Sequence, residues 1–445
     1  MGGITRMALI VALAAALLVV VATAAPGAEP KASAANGDNP YEGVKNVILF
    51  ISDGAGEEHF QLGSGPDGKG LFLDDGGVWE GEGTLDTTSL DGVTNSAAAG
   101  TALATGYETH NGWLSMVPTD EGPVEKKTVL ERAMENGKWA GLVTDVGIND
   151  ATPAAFAAHV TDRYSVDIPK QMRDHDIQML FGSQGSPKAR PLLNLPGVTY
   201  IKSSKDLAPY FSGAKEWVAP MYGLIGGAAM TFDLDREEEG VVGVEPALPE
   251  MTEAALQDLS RNEAGFFLMV EGGAIDWGGH ARDPGWVLTD VIEFDQAVEL
   301  AYDWAQARTD TLIVVTSDHE TGGLAVDPLT ANYTAIARQK ATTEYTWGLI
   351  KKGKIGIEQA LKTYMGVPNP TAAEIKRVEN YGQMGISDVL SARDNVTWGW
   401  SGKDDGDHTA TPVPIRAWGP GADRFNVTEI DNEYVGLELM QAVSN

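Results

Sequence analysis

Seven acids and histidines recur in one kind of setting, beside a short apolar run and among small residues. Asp53 follows Asn46-Val-Ile-Leu-Phe-Ile51. Glu271, Asp276 and His280 follow Gly265-Phe-Phe-Leu-Met-Val270. Asp318 and His319 follow Thr311-Leu-Ile-Val-Val-Thr316, and His408 precedes the strand-like Ile415-Arg-Ala-Trp418. Mixed carboxylate and imidazole donors suit zinc, whereas an all-oxygen set suits magnesium. A further stretch, Gly92 to Gly106, supplies a hydroxyl. Ser96 opens an alanine-rich run of high helix propensity, so its side chain belongs at a helix N-terminus, where orphan N–H groups and the helix dipole favour an anion. Taken singly, each residue has an ordinary explanation: Asn95 or Ser96 as a helix cap, Asp53 as a turn cap, each histidine as a satisfied core or surface group. Their shared position favours chemistry. His59, His110, His159 and His175 have no such setting and are taken as structural.

Uninterrupted apolar runs are the pattern of strands buried on both faces of a parallel sheet. The carboxyl ends of such strands are where open α/β sheets bind ligands. Trp139 to Thr144 is a further strand. Helices are expected over Val129 to Lys138, Ala154 to Val160 with Pro153 at the first helical position, Pro169 to Leu180, Met251 to Asn262 and Trp286 to Arg308. Residues 181–250 are expected as long loops with short elements. The i, i+4 spacing of Asp276 and His280 would place both on one helix face. Gly278 and Gly279 each cost a helix about 1 kcal/mol, so a loop or first helical turn is expected there. Residues from about 325 to 400 are unusually basic for this chain (Lys340, Lys351, Lys352, Lys354, Lys362, Lys376, Arg377) and are expected as an insertion forming a lid or contact surface, with helices over Glu358 to Met365 and Ala372 to Tyr381.

The 445 residues carry 32 Lys and Arg against 63 Asp and Glu, a net charge of -31, which argues against the basic footprint of a nucleic-acid-binding surface. It also means that an anionic substrate needs a strong local positive centre, for which bound metal ions are the natural source. There is no cysteine, which excludes disulfides, thiolate zinc sites and a cysteine nucleophile. Arg6 followed by the apolar Met7 to Ala25 has the layout of a cleaved secretory signal, whose core is shorter than the roughly 20 residues a spanning helix needs. The chain is therefore expected to be exported (extracellular, periplasmic or cell-surface), an uncleaved N-terminal anchor being the alternative. Residues 26–44 form a tether and 45–445 the catalytic domain. Asn332, Asn395 and Asn426 lie in N-x-Thr sequons.

Six blocks occur in order: Asp53-Gly-Ala-Gly56; Val93-Thr-Asn-Ser-Ala-Ala-Ala-Gly-Thr101; Asp150-Ala-Thr-Pro-Ala-Ala-Phe156 with His159-Val-Thr-Asp-Arg163; Glu271 to His280; Ser317-Asp-His-Glu-Thr-Gly-Gly323; and His408-Thr-Ala. In this the chain resembles the metal-dependent alkaline phosphatases. The resemblance implies an α/β fold with a mostly parallel central sheet, helices on both faces and an inserted cap. It implies hydrolysis of small phosphate monoesters through a phosphoserine, at a site of two zinc ions and one magnesium. Ser96 matches the nucleophile. Asp276, His280 and His408 match the ligands of one zinc, and Asp53, Asp318 and His319 those of the other. Asp53 would also bridge to a magnesium held by Thr152 and Glu271. Arg163 matches the arginine that grips the non-bridging phosphate oxygens, and Asn95, Asp150 and Trp277 fall behind these groups.

The physics agrees, because a serine hydroxyl is a weak nucleophile until a metal lowers its pKa, and two zinc ions about 4 Å apart can stabilise both the entering and the leaving oxygen. The resemblance further implies a homodimer, with the 325–400 insertion a candidate for the contact. Two positions depart from the family pattern. Asn95 stands where Asp is usual, beside the expected place of Arg163, and Trp277 stands where Lys or His is common. A phosphodiesterase on the same scaffold is the nearer rival, and Arg163 argues against it because a diester offers fewer free oxygens. A non-catalytic metal- or phosphate-binding surface protein is the other, and Ser96 argues against it.

Overall fold

The computed structural model describes residues 39–185, 187–399 and 407–445. The expected signal segment and most of the tether lie outside them. Ten strands form one sheet: β1 (Asn46–Ser52), β2 (Gly81–Asp86), β3 (Trp139–Gly147), β4 (Met179–Ser183), β5 (Thr199–Tyr200), β6 (Met221–Ile225), β7 (Phe266–Gly272), β8 (Thr311–Thr316), β9 (Val413–Trp418) and β10 (Ile430–Asp431). Their order across the sheet is β10-β2-β9-β8-β1-β7-β3-β4-β6-β5. Only β9 runs against its neighbours, β8 and β2.

Strand β1 shows why the run of apolar residues is uninterrupted. Every residue in it is buried, and alternate side chains enter different cores. Val47, Leu49 and Ile51 pack with helices Ser96–Thr105, Val129–Glu135 and Glu433–Ala442 on one face. Ile48 and Phe50 pack with helices Leu248–Leu259 and Pro284–Ala305 on the other. Each such side chain contributes about 1.5–3 kcal/mol by leaving water. The two central pairings are in register: Ile51 faces Glu271 on one side and Thr316 on the other. Asp53 and Asp318 therefore emerge at one height on the carboxyl edge, with Glu271 two residues deeper on its strand. Because β9 is antiparallel, its N-terminal end lies at that same edge and delivers His408, just upstream of Val413.

Several local expectations are corrected. The helix after β3 is Ala151–Ala155, capped by Asp150, whose side chain accepts from the Ala151 N–H. Pro153 is thus inside it and not first. It stops well short of Val160 because Val160 pairs in extended form with Leu114. The helix expected over Pro169 to Leu180 is Ile168–Asp174, ended where Asp176 takes a φ of 52°. Met179 and Leu180 instead begin β4. The helix expected to Lys138 stops at Glu135, before Gly137 at φ 77°.

Asp276 and His280 lie on a real helix, Ala274–Ala281. Its glycines are sites of close approach. A Cβ on Gly278 would come within 3.0 Å of the Val287 side chain, and one on Gly279 within 3.0 Å of the Thr321 carbonyl. Tertiary contact overrides the local helix cost here.

Residues of the expected insertion form helices Thr343–Lys351, Ile357–Thr363, Ala372–Tyr381 and Gln383–Asp394. They gather a small core of their own around Leu361, Met365, Val378, Ile386 and Leu390. Among the described residues no helix is long and apolar enough to cross a membrane.

Gly54 joins the sheet to the site. Its φ is +76°, and a Cβ there would lie 2.7 Å from the Asp276 Cα. Left-handed backbone costs a non-glycine residue roughly 1–2 kcal/mol before any clash. Gly54→Ala is expected to lower stability by at least that much, read as a fall in the urea midpoint at constant slope.

Candidate active site

Three oxygens converge on one imidazole nitrogen. The Nε2 of His319 lies 3.3 Å from the Ser96 Oγ, 3.4 Å from the Asp53 Oδ1 and 3.4 Å from the Asp318 Oδ2. Backbone N–H groups fix the approach. Gly54 and His319 both donate to the Asp318 Oδ1, leaving Oδ2 turned inward without a partner. The Thr152 hydroxyl donates to the Asp53 Oδ2 at 3.3 Å, leaving Oδ1 likewise bare.

A second cluster adjoins it. The Asp276 Oδ2 is 3.3 Å from the His280 Nε2, the Asp276 Oδ1 is 3.6 Å from the His408 Nε2, and the two Nε2 atoms are 3.3 Å apart. The His408 Nδ1 faces the Thr94 carbonyl at 3.0 Å, an acceptor only, so Nδ1 carries the proton and Nε2 a lone pair. Thr321 donates to the Asp276 Oδ1 at 2.5 Å. Donor atoms of Asp53, Asp318 and His319 lie mutually within 4.8 Å, as do those of Asp276, His319 and His408.

These donors fit the cations the sequence implies. Zinc bonds of about 2.0–2.1 Å in tetrahedral geometry set ligand atoms about 3.3 Å apart, the spacing found in both clusters. Glu271 lies deeper, beside Thr152, fully buried and with both oxygens unpartnered. Its neighbour Thr152 reaches Asp53 with its hydroxyl.

The charges point the same way. Burial pushes Asp53 well above the usual carboxylate range, and Asp318, Asp276 and Glu271 push it further. Burial, reinforced by Asp150 and Asp145, does the same to Glu271. Burial, then the charge of Asp276, pushes Asp318 up to about 7. Asp276 is penalised by burial, but the charge of His280 and its hydrogen bond more than offset this and hold it low. Burial and the neighbouring His408 pull His319 well below the histidine range, so it is a neutral donor. Without a cation this edge is an accumulation of unbalanced buried carboxyls.

Ser96 is the first residue of its helix, and Asn95 is the cap. The Asn95 Oδ1 accepts from the N–H groups of Ala98 and Gly112. Arg163 does not turn to residue 95. Its Nη2 donates at 2.9 Å to the Asp150 Oδ1, the same atom that caps Ala151. The charged partner of the arginine is thus Asp150 and not residue 95. Ser96, Asn95, Arg163, Trp277, His280 and His408 all line one cavity of about 820 Å³. Sequence reasoning missed Tyr164 and Asn111 on its wall, and Glu344, Gln383 and Met384 from the inserted helices. No local motif marks those residues. Trp277 packs edge-on against Phe232, with ring centroids 5.6 Å apart, and presents an apolar wall.

A family model described as alkaline phosphatase matches residues 44–181 and 193–444. The chain is 33% identical to alkaline phosphatase 4 of Bacillus subtilis, over 92% of each chain. It is 30% identical to alkaline phosphatase 3 of the same organism, over 96% of this chain and 95% of that one. Among solved structures, the alkaline phosphatase of Thermus thermophilus superposes with a TM-score of 0.78 at 25% identity, over 90% of this chain and 91% of that one.

The raised carboxyls give a pH signature. Their folded pKa lies above the unfolded value, so they favour the metal-free fold at low pH, and that contribution is lost as pH rises through the folded pKa, about 7 for Asp318. Chelated protein is expected to lose thermal stability between about pH 5 and pH 8. Protein reloaded with zinc and magnesium should not, and parallel melting curves for the two forms would refute this.

Proposed function

The chain belongs to the alkaline phosphatase family and is a phosphoric monoester hydrolase; from that premise we propose that it works through a phosphoserine on Ser96, at a site of two zinc ions and one magnesium. Asp276, His280 and His408 would hold one zinc, Asp53, Asp318 and His319 the other, and Asp53, Thr152 and Glu271 the magnesium. When bound, these ions supply the positive charge that lowers the serine pKa and offsets charge on the entering and leaving oxygens. The observation that carries the reading is the Ser96 Oγ, 3.3 Å from the His319 Nε2 and sharing a cavity wall with Arg163.

The chain's own groups then divide the work. Ser96, having lost its proton, forms the new O–P bond as the ester oxygen departs in line. The helix N-terminus it opens faces the charge gathered on the phosphoryl group. Arg163 binds two non-bridging oxygens as a fork, and Asp150 keeps that fork oriented. Water then displaces Ser96 from phosphorus by a second in-line step. Two inversions give retention.

We read the chain as exported, on the layout of its first 25 residues, and as a homodimer in which residues 325–400 form part of the contact. Periplasmic or medium fractionation and light scattering test these.

Ser96→Ala is expected to lower kcat/KM for p-nitrophenyl phosphate by about three orders of magnitude or more and to abolish incorporation of labelled phosphate. Hydrolysis between pH 7 and 11 should vanish on chelation and return with zinc and magnesium. The bis(p-nitrophenyl) ester should be a far poorer substrate, and a preference for it would favour a phosphodiesterase. Asn95→Asp adds a negative charge to the cavity, so phosphate should inhibit that variant less strongly. Identical inhibition constants would remove residue 95 from any role in product release.

A further inference from the structure

Glu131, His159 and His175, which no sequence motif unites, meet outside the cavity with donor atoms mutually within 4.8 Å. Glu131 sits in the first turn of helix Val129–Glu135, where its Oε2 accepts the Thr128 N–H at 2.8 Å. Its Oε1 is left facing two imidazoles, 3.0 Å from the His159 Nε2 and 3.6 Å from the His175 Nε2. The longer span is outside hydrogen-bond range. Both straddle the roughly 3.3 Å edge of a tetrahedral zinc site. The His159 Nδ1 donates to the Ser115 carbonyl at 3.1 Å, the kind of outer hydrogen bond that aims the opposite nitrogen at a metal. The three side chains are 18%, 10% and 25% exposed, which leaves an open side for solvent.

We propose that Glu131, His159 and His175 form an additional binding site for a zinc-class divalent cation, completed by water. The ion would tie three segments together: helix Val129–Glu135, the stretch after helix Ala151–Ala155, and the end of helix Ile168–Asp174. The middle one leads directly to Arg163, whose N–H is held by the Gly112 carbonyl. The ion thus braces the arginine's loop from behind without touching substrate. Burial lowers His159, but Glu131 more than offsets this and raises it, with Glu125 also facing the ring. Burial lowers His175, which faces Asp174. Binding therefore displaces a proton from His159 and weakens as pH falls.

The test counts zinc per chain by mass spectrometry after zinc loading and desalting at pH 7.5, for the wild type, His175→Ala and Glu131→Gln. The glutamine keeps an oxygen to cap Thr128, so it guards against simple misfolding. One equivalent fewer in both variants, with kcat for p-nitrophenyl phosphate within about twofold of wild type, is the expected result. Equal zinc counts in all three proteins would overturn the proposal and leave only an imidazolium–carboxylate pair.

Discussion

The constraint on which the structure depends is electrostatic. Asp53, Glu271, Asp276 and Asp318 are all removed from water at the carboxyl edge of one sheet. Carboxylates so placed are tolerable only beside compensating cations or histidines. The in-register pairing of β1 with β7 and β8 sets Asp53 level with Asp318 and Glu271 two residues below them, and the reversed direction of β9 brings His408 to meet them. A slip of one residue in either pairing would turn each chain end toward the opposite face of the sheet. The two apolar cores that clamp β1 from both sides therefore fix the spacing of the charged groups as well as the fold.

Much of this was legible in the residues. Strands buried on both faces carry no polar alternation, so β1, β7 and β8 stood out as unbroken apolar runs with chemistry at their ends. What escaped was non-local. Strand β2 contains Gly81 and Gly83, which look like loop residues. They are glycines because the carbonyls of Ala422 and Val427 lie where Cβ atoms would be. Helix Ala274–Ala281 was discounted for its glycines, yet these let Val287 and Thr321 approach closely. The Asp150–Arg163 pair was hidden for a like reason, since the sequence pointed to position 95 and only the turn after β3 reveals the nearer carboxylate.

The Ser96 helix shows that the modest and the chemical readings of a motif need not compete. Asn95 spends its side-chain oxygen on the N–H groups of Ala98 and Gly112. A cap built one residue ahead of the reactive hydroxyl fixes that hydroxyl's orientation. The acid common at this position in the family would do the same work while adding charge.

The inserted helices keep their own small core around Leu361 and Leu390, apart from the two cores of the sheet, yet they contribute Glu344, Gln383 and Met384 to the cavity wall. Changes in one packing unit are close to additive with changes in another when they share no partners. These two units do share partners: the Ser387 hydroxyl donates to the Ala281 carbonyl and the Thr343 N–H to the Asp283 carboxylate, so a change in the cavity wall is felt by the helix that carries Asp276 and His280.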